Sequence, residues 1–277
     1  MRARLPSDHA WIGLGGNLLR VLMVGDVIGK PGRKALRHVL PGLKRELALD
    51  FVVVNGENAA AGFGLTDDTA DELLDAGATV ISGGNHTFDQ RDFIPSLDGE
   101  LPVLRPANYP VGTPGRGMLR AGPVAVINLQ GRVFMPEGLD SPFRIADWLL
   151  EELEEDPPKA ILVDFHTEAT SEQGALGWYL DGRVSAVVGT HTHVPTADPH
   201  VLPEGTAFVT DLGMTGPVNS IIGSRVEDVL TRFLTAMPRR LNVADKGPLQ
   251  FNSVFIEIDD LTGLATEIHR VDRTFEL

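Results

Sequence analysis

At 277 residues the chain is long enough for one large domain with a full core, and a hydrophobic fraction of 43% fits a globular protein. Twenty-four Lys and Arg against 38 Asp and Glu leave a formal charge of −14, which excludes the broad basic footprint of a duplex nucleic-acid binder. The absence of cysteine excludes disulfides, thiolate metal sites and cysteine nucleophiles together, so metal ligands must be N or O donors.

No apolar run reaches the roughly 20 residues that span a bilayer. The first 19 residues are broken by Pro6, Asp8 and His9 where a signal peptide needs a continuous apolar region. The expectation is a soluble, cytoplasmic protein with no membrane partner. Regular patterning begins only near Leu19, so residues 1–18 are expected to be a flexible extension and 19–277 a single domain.

Along the chain, short β-branched runs alternate with amphipathic segments, the pattern of βα units around a buried sheet. Strands are expected at 20–24, 51–55, 79–82, 124–129, 160–165, 186–188 and 207–210. Leu36, Val39, Leu40, Leu43 and Leu47 recur at helical spacing within 31–49, with Pro41 expected to kink or divide that helix. Thr66 as N-cap, acids in the first turn and Gly77 as a stop delimit a helix over 66–76.

Further helices are expected at 141–155, 171–180 and 225–236, the last with Val226, Val229, Leu230, Phe233 and Leu234 on one face. Residues 253–258 and 265–271 form a terminal hairpin. The Pro- and Gly-rich stretch 102–122 is read as a surface excursion. Glycines at 62–64 and 213–216 mark loops, either of which can shape a substrate mouth, and the apolar segment 213–222 is a candidate interface.

Almost every expected strand ends in a polar cluster: Gly25-Asp26, Gly56-Glu57-Asn58, Gly83-Gly84-Asn85-His86, His166, and His191 with His193. In open α/β sheets functional groups gather beyond the carboxyl ends of strands, so these clusters are expected to converge in one crevice. His with Asp, Glu and Asn donors, and no sulfur, suits Mn, Fe, Co, Ni or Zn better than an all-oxygen Ca or Mg site. Two ions fit the ligand number, with a carboxylate bridging them.

Each residue alone has a plainer reading. Asp26 is also a plausible helix cap, Asn58 a turn residue, and His86 a ligand or a donor outside the coordination sphere. Asp164 and Glu168 flank His166, either to orient an imidazole or as a solvated carboxylate or cap.

The strings VGDVIGKPGR, NGENAAAGFG, GGNHTFD, DFHTEATSE and GTHTH resemble the calcineurin-like metallophosphoesterases, and within them the YmdB-type bacterial branch, over about residues 20–271. The resemblance implies a layered α/β/β/α sandwich with the metal site at the carboxyl ends of the strands. It implies one metal on Asp26, Glu57, Asn58 and His193, and a second on Glu57, Asn85, His166 and His191, with Fe or Mn foremost and Zn, Co or Ni as alternatives. His86 would serve as general acid while a metal-activated hydroxide attacks phosphorus, opening 2′,3′-cyclic nucleotides to 3′-nucleotides.

The resemblance also implies a homo-oligomer. Two departures separate the chain from commoner members of the superfamily: Ile28 replaces a His two residues after Asp26, and Glu57 replaces an Asp. Asn58 would make up the coordination. A broad phosphodiesterase or phosphomonoesterase using the same centre, and a non-catalytic nucleotide- or metal-sensing regulator, are the alternative functions.

Overall fold

The computed structural model describes residues 18–136 and 138–276. β1 (Leu18–Val24) begins two residues earlier than expected. The expected flexible extension therefore lies outside the described residues except for Leu18, which already belongs to a strand. β2 (Asp26–Val27) leads into α1 (Gly29–Glu46), which Pro41 does not divide. The hydrogen bond Pro41 cannot make would go to the carbonyl of Arg37, an exposed residue where water can serve instead.

β3 (Phe51–Asn55) precedes α2 (Asp67–Asp75), which starts as its sequence predicts: Thr69 N donates to Thr66 Oγ1 at 3.2 Å, and Thr66 N to Thr69 Oγ1 at 2.8 Å. β4 (Val80–Ser82) is followed by a 3₁₀ helix (Arg91–Asp98). β5 (Met118–Ala121) then pairs antiparallel with β6 (Val124–Gln130), so the end of the supposed surface excursion is an edge strand. α3 (Pro142–Leu153), β7 (Ala160–His166), α4 (Thr170–Tyr179) and β8 (Ala186–Thr190) complete the second half of the βα alternation.

β9 (His200–Val201), β10 (Ala207–Val209), β11 (Met214–Pro217), α5 (Val226–Thr235), β12 (Leu249–Phe251), β13 (Ser253–Asp259), β14 (Ala265–Arg270) and β15 (Arg273–Phe275) close the fold. Two of these correct the sequence reading. Met214–Pro217 is not a loop or a free interface segment but a buried strand, paired with β2 and β12. On α5 the expected apolar face is split: Val229 is buried, whereas Leu230, Phe233 and Leu234 are 47%, 79% and 83% exposed.

The strands form a five-stranded sheet (β14-β13-β1-β3-β4), a six-stranded sheet (β5-β6-β7-β8-β10-β9) and a small one (β15-β12-β11-β2). Period-2 alternation sorts their side chains. Val21, Met23, Phe51 and Val53 pack between the large sheets with Val126, Leu162 and Val188, while Leu22, Val24, Val52 and Val54 turn outward to Leu36, Leu40 and Leu73 of α1 and α2. On the far side, Val163 and Phe165 pack with Leu149 of α3 and Leu176 of α4. The layering is the expected α/β/β/α sandwich. No helix among the described residues is long and apolar enough to cross a membrane.

β1, β3 and β4 run parallel, as do β6, β7 and β8, so the carboxyl ends within each set share an edge. The two edges are tied together where Asn55 at the end of β3 donates to Asp164 of β7 at 3.1 Å.

Candidate metal centre

At this joined edge the chain brings together Asp26, Glu57, Asn58, Asn85, His86, His166, His191 and His193. Ligand atoms of Glu57, His166 and His191 lie within 4.8 Å of one another, and so do those of Asp26, Glu57 and His193. Glu57 is common to both groups. Glu57, Asp26 and His166 are buried, and Gly84 makes room for them: a Cβ there would overlap Glu57 Oε2 and the His166 ring.

Hydrogen bonds assign the protons on two of the three imidazoles, and an ion-pair contact orients the third. His166 Nδ1 lies 2.9 Å from Thr190 Oγ1, and that hydroxyl gives its one proton to Asp164 Oδ1 at 2.7 Å, so His166 must be the donor through Nδ1. His193 Nδ1 donates to the Ile222 carbonyl at 2.9 Å. His191 Nε2 is 3.2 Å from Glu168 Oε2. Neutral rings bonded in this way turn His166 Nε2, His193 Nε2 and His191 Nδ1 toward the centre as bare nitrogens.

These nitrogens meet other electron pairs. His166 Nε2 is 3.1 Å from Glu57 Oε1, 3.0 Å from Asn85 Oδ1 and 3.0 Å from His191 Nδ1, and His193 Nε2 is 3.8 Å from Asp26 Oδ1. Asp26 Oδ1 and Asn58 Oδ1 are buried without a hydrogen-bond partner. Unpaired acceptors facing one another are costly unless a cation lies among them, so this donor set fits metal ions.

Burial and mutual contact shift the titration of these groups. Burial pushes Asp26 well above the usual carboxylate range, reinforced by Glu57, Asp211 and Asp164. Burial alone would raise Glu57 and lower His166, yet their contact draws Glu57 down to about 2 and His166 up to about 9.

The backbone of the last cluster is strained to reach this geometry. His191 (φ 109°) and His193 (φ 64°) both have left-handed backbone, uncommon for residues other than glycine. Asp211 holds the turn by accepting from Thr192 N at 3.0 Å and Thr192 Oγ1 at 2.9 Å, and the His191 amide donates to Asp26 Oδ2 at 3.3 Å.

His86 stands at the rim. Its side chain is 27% exposed, Nδ1 lies 2.9 Å from Asp89 Oδ2, and its amide donates to Glu57 Oε2 at 3.3 Å. It lines a cavity of about 310 Å³ with Glu57, Asn58, His191 and His193, and Phe63, Ile222 and Val243 line the same cavity.

Sequence reasoning passed over several of these positions. Thr190, Ser82 and Asn55 all bond Asp164, and none carries a signal apart from its place at the end of a strand. Asp164 acts on His166 through Thr190, whereas Glu168 reaches His191 rather than its neighbour His166.

A four-layer α/β/β/α sandwich with histidine, carboxylate and amide donors gathered at the carboxyl ends of its strands defines a metallophosphoesterase. A 5′-nucleotidase precursor from Thermus thermophilus shares the fold at 15% identity and a TM-score of 0.55. Residues 22–271 match the family described as YmdB-like protein, and the chain belongs to that family.

The chain is 48% identical over 257 residues to the 2′,3′-cyclic-nucleotide 2′-phosphodiesterase of Bacillus subtilis (strain 168), covering 91% of this chain and 96% of that protein. A crystal structure of a hypothetical protein from Thermus thermophilus superposes with a TM-score of 0.86 at 44% identity, over 93% of this chain and 100% of the other. A phosphatase from Mycoplasma pneumoniae superposes at 0.87 with 32% identity, over 94% of each chain.

Proposed function

We infer that this chain is a metal-dependent phosphodiesterase that opens 2′,3′-cyclic nucleotides at the 2′ bond and releases 3′-nucleotides. The reading is carried by the three imidazoles that converge with Asp26 and Glu57 beside His86, in a chain 48% identical to an enzyme of that name.

Asp26, Glu57, Asn58 and His193 would hold one ion, and Glu57, Asn85, His166 and His191 a second, with Fe or Mn the best match to the mixed N and O donors. Bound there, the ions supply positive charge that acidifies water and offsets charge on the phosphoryl oxygens.

The remaining chemistry belongs to side chains. His86, with Nδ1 held by Asp89, presents Nε2 to the cavity. As a water oxygen bonds to phosphorus and the bond from phosphorus to O2′ breaks, His86 gives its proton to O2′. Asp89 fixes the orientation of the ring. The exposed Leu230, Phe233 and Leu234 of α5 support a homo-oligomer.

The test is product analysis with Mn- or Fe-loaded protein and adenosine 2′,3′-cyclic phosphate. Adenosine 3′-phosphate is the expected product, and His86→Ala should lower kcat by about 10²- to 10⁴-fold, the usual worth of a general acid. Release of the 2′-phosphate, or cleavage of nucleoside monophosphates in preference to the cyclic ester, would replace this reading with the broader phosphatase one.

A further inference from the structure

We propose that Phe63, with Ile222, Leu241 and Val243, forms a shelf that binds the nucleobase of the substrate, Phe63 stacking on the base. The proposal rests on the cyclic-nucleotide reading above and adds the part of the site that recognises the nucleoside.

The cavity lining is of two kinds. Glu57, Asn58, His191 and His193 are polar; Phe63, Ile222, Leu241 and Val243 are apolar. At about 310 Å³ it sits at the low end of small-ligand sites, which run from about 300 to 1,000 Å³, a size for a mononucleotide rather than a polymer.

Phe63 is 41% exposed, although a phenyl ring gains most when covered. Its exposure is not the result of a loose loop. Ala61 (φ 56°), Gly62 (φ 100°) and Gly64 (φ 72°) have left-handed backbone on both sides of it. The loop is then bonded in place: Asn58 Nδ2 donates to the Gly62 carbonyl at 3.0 Å, Gly64 N to the Glu57 carbonyl at 2.5 Å, and Gln90 Nε2 to the Phe63 carbonyl at 2.7 Å.

A rigid, partly bare aromatic ring is the form in which a protein presents a stacking surface. Phe63 also meets His86 edge-on, with ring centroids 5.0 Å apart and planes at 78°. A base on Phe63 therefore sits one ring away from the proton donor. The other apolar lining residues are fixed as well. Ile222, left-handed itself (φ 46°), is held through the bond from His193 to its carbonyl, and Asn242, between Leu241 and Val243, is bonded to Asp228.

The experiment compares wild type, Phe63→Ala and Phe63→Trp in the metal-loaded protein on two esters, adenosine 2′,3′-cyclic phosphate and base-free ribose 2,3-cyclic phosphate. Adenosine 3′-phosphate affinity is measured by calorimetry alongside. Phe63→Ala should reduce the kcat/KM preference for the nucleotide over the base-free ester about tenfold, and weaken adenosine 3′-phosphate by a similar factor, within the usual worth of one stacked base. Phe63→Trp should restore both.

Equal losses on the two esters, or an unchanged preference, would overturn the shelf while leaving the phosphodiesterase reading intact. If wild type hydrolyses neither ester, the phosphodiesterase reading fails and calorimetry still decides the shelf. Weaker adenosine 3′-phosphate binding in Phe63→Ala upholds it; unchanged binding, or none to wild type, overturns it.

Discussion

Thr190 fixes which nitrogen of His166 carries the proton. Its hydroxyl sits 2.9 Å from His166 Nδ1 while spending its proton on Asp164 Oδ1 at 2.7 Å, and Asp164 is itself held by Asn55 and Ser82. Removing the hydroxyl frees the ring to change tautomer.

Thr190→Val keeps the shape of the side chain and should weaken metal binding by about 10- to 100-fold, the usual effect of losing a partner behind a ligand. Thr190→Ser should retain most of the affinity. Chelator-competition titrations of the three proteins check this, and equal affinities in all three would show that the relay does not matter.

Gly84 should be irreplaceable for a different reason. A Cβ at this position overlaps Glu57 Oε2 and the His166 ring, both buried and unable to retreat. Gly84→Ala should therefore displace shared ligands and lose metal at both positions. Gly174, in α4, has open space around its would-be Cβ, and Gly174→Ala should instead stabilise the fold by about 0.5–1 kcal/mol. Metal content and thermal unfolding of the two variants provide the comparison.

Asp228 links pH to the wall of the cavity. It accepts from Asn242 Nδ2 at 2.8 Å and from Arg239 Nε at 2.9 Å, and these bonds, Asn242 first, hold its carboxyl below the usual range. A carboxyl with a depressed folded-state pKa contributes stability that is fully present above its unfolded value of about 3.9 and is lost as pH falls through the lower folded value. The Tm difference between wild type and Asp228→Asn should be largest near neutral pH and disappear in acid below that window. A difference independent of pH would remove Asp228 from this role.

The apolar face of α5 should pair with another copy of the chain. Light scattering should give a mass above the 29.9 kDa of one chain, and Phe233→Asp with Leu234→Asp should return it toward that value with an unchanged circular-dichroism spectrum, since both side chains are exposed in the single chain. A monomeric wild type would contradict the pairing.

Much of the candidate centre was legible because its residues follow apolar runs that can only be strands. Asp26, Glu57, Asn85 and His191 each lie just past a hydrophobic stretch, and parallel strands carry such positions to one edge. His166 proved to be the last residue of its strand, which is why it is fully buried.

What escaped depends on contacts between distant segments. β11 reads as a glycine-punctuated loop because its pairing partners, β2 and β12, are too short to show periodicity. Phe63 looks like any loop aromatic until Ile222 and Val243, far along the chain, are seen lining the same cavity. Helical spacing identified α5 but not the direction its apolar face would point.

Glu57 should be shared by two metal positions in one centre. Anomalous diffraction from crystals of Mn- or Fe-loaded protein tests it most directly. Two peaks are predicted, one among Asp26, Glu57, Asn58 and His193 and the other among Glu57, Asn85, His166 and His191. A single peak, or ions bound away from Glu57, would contradict it.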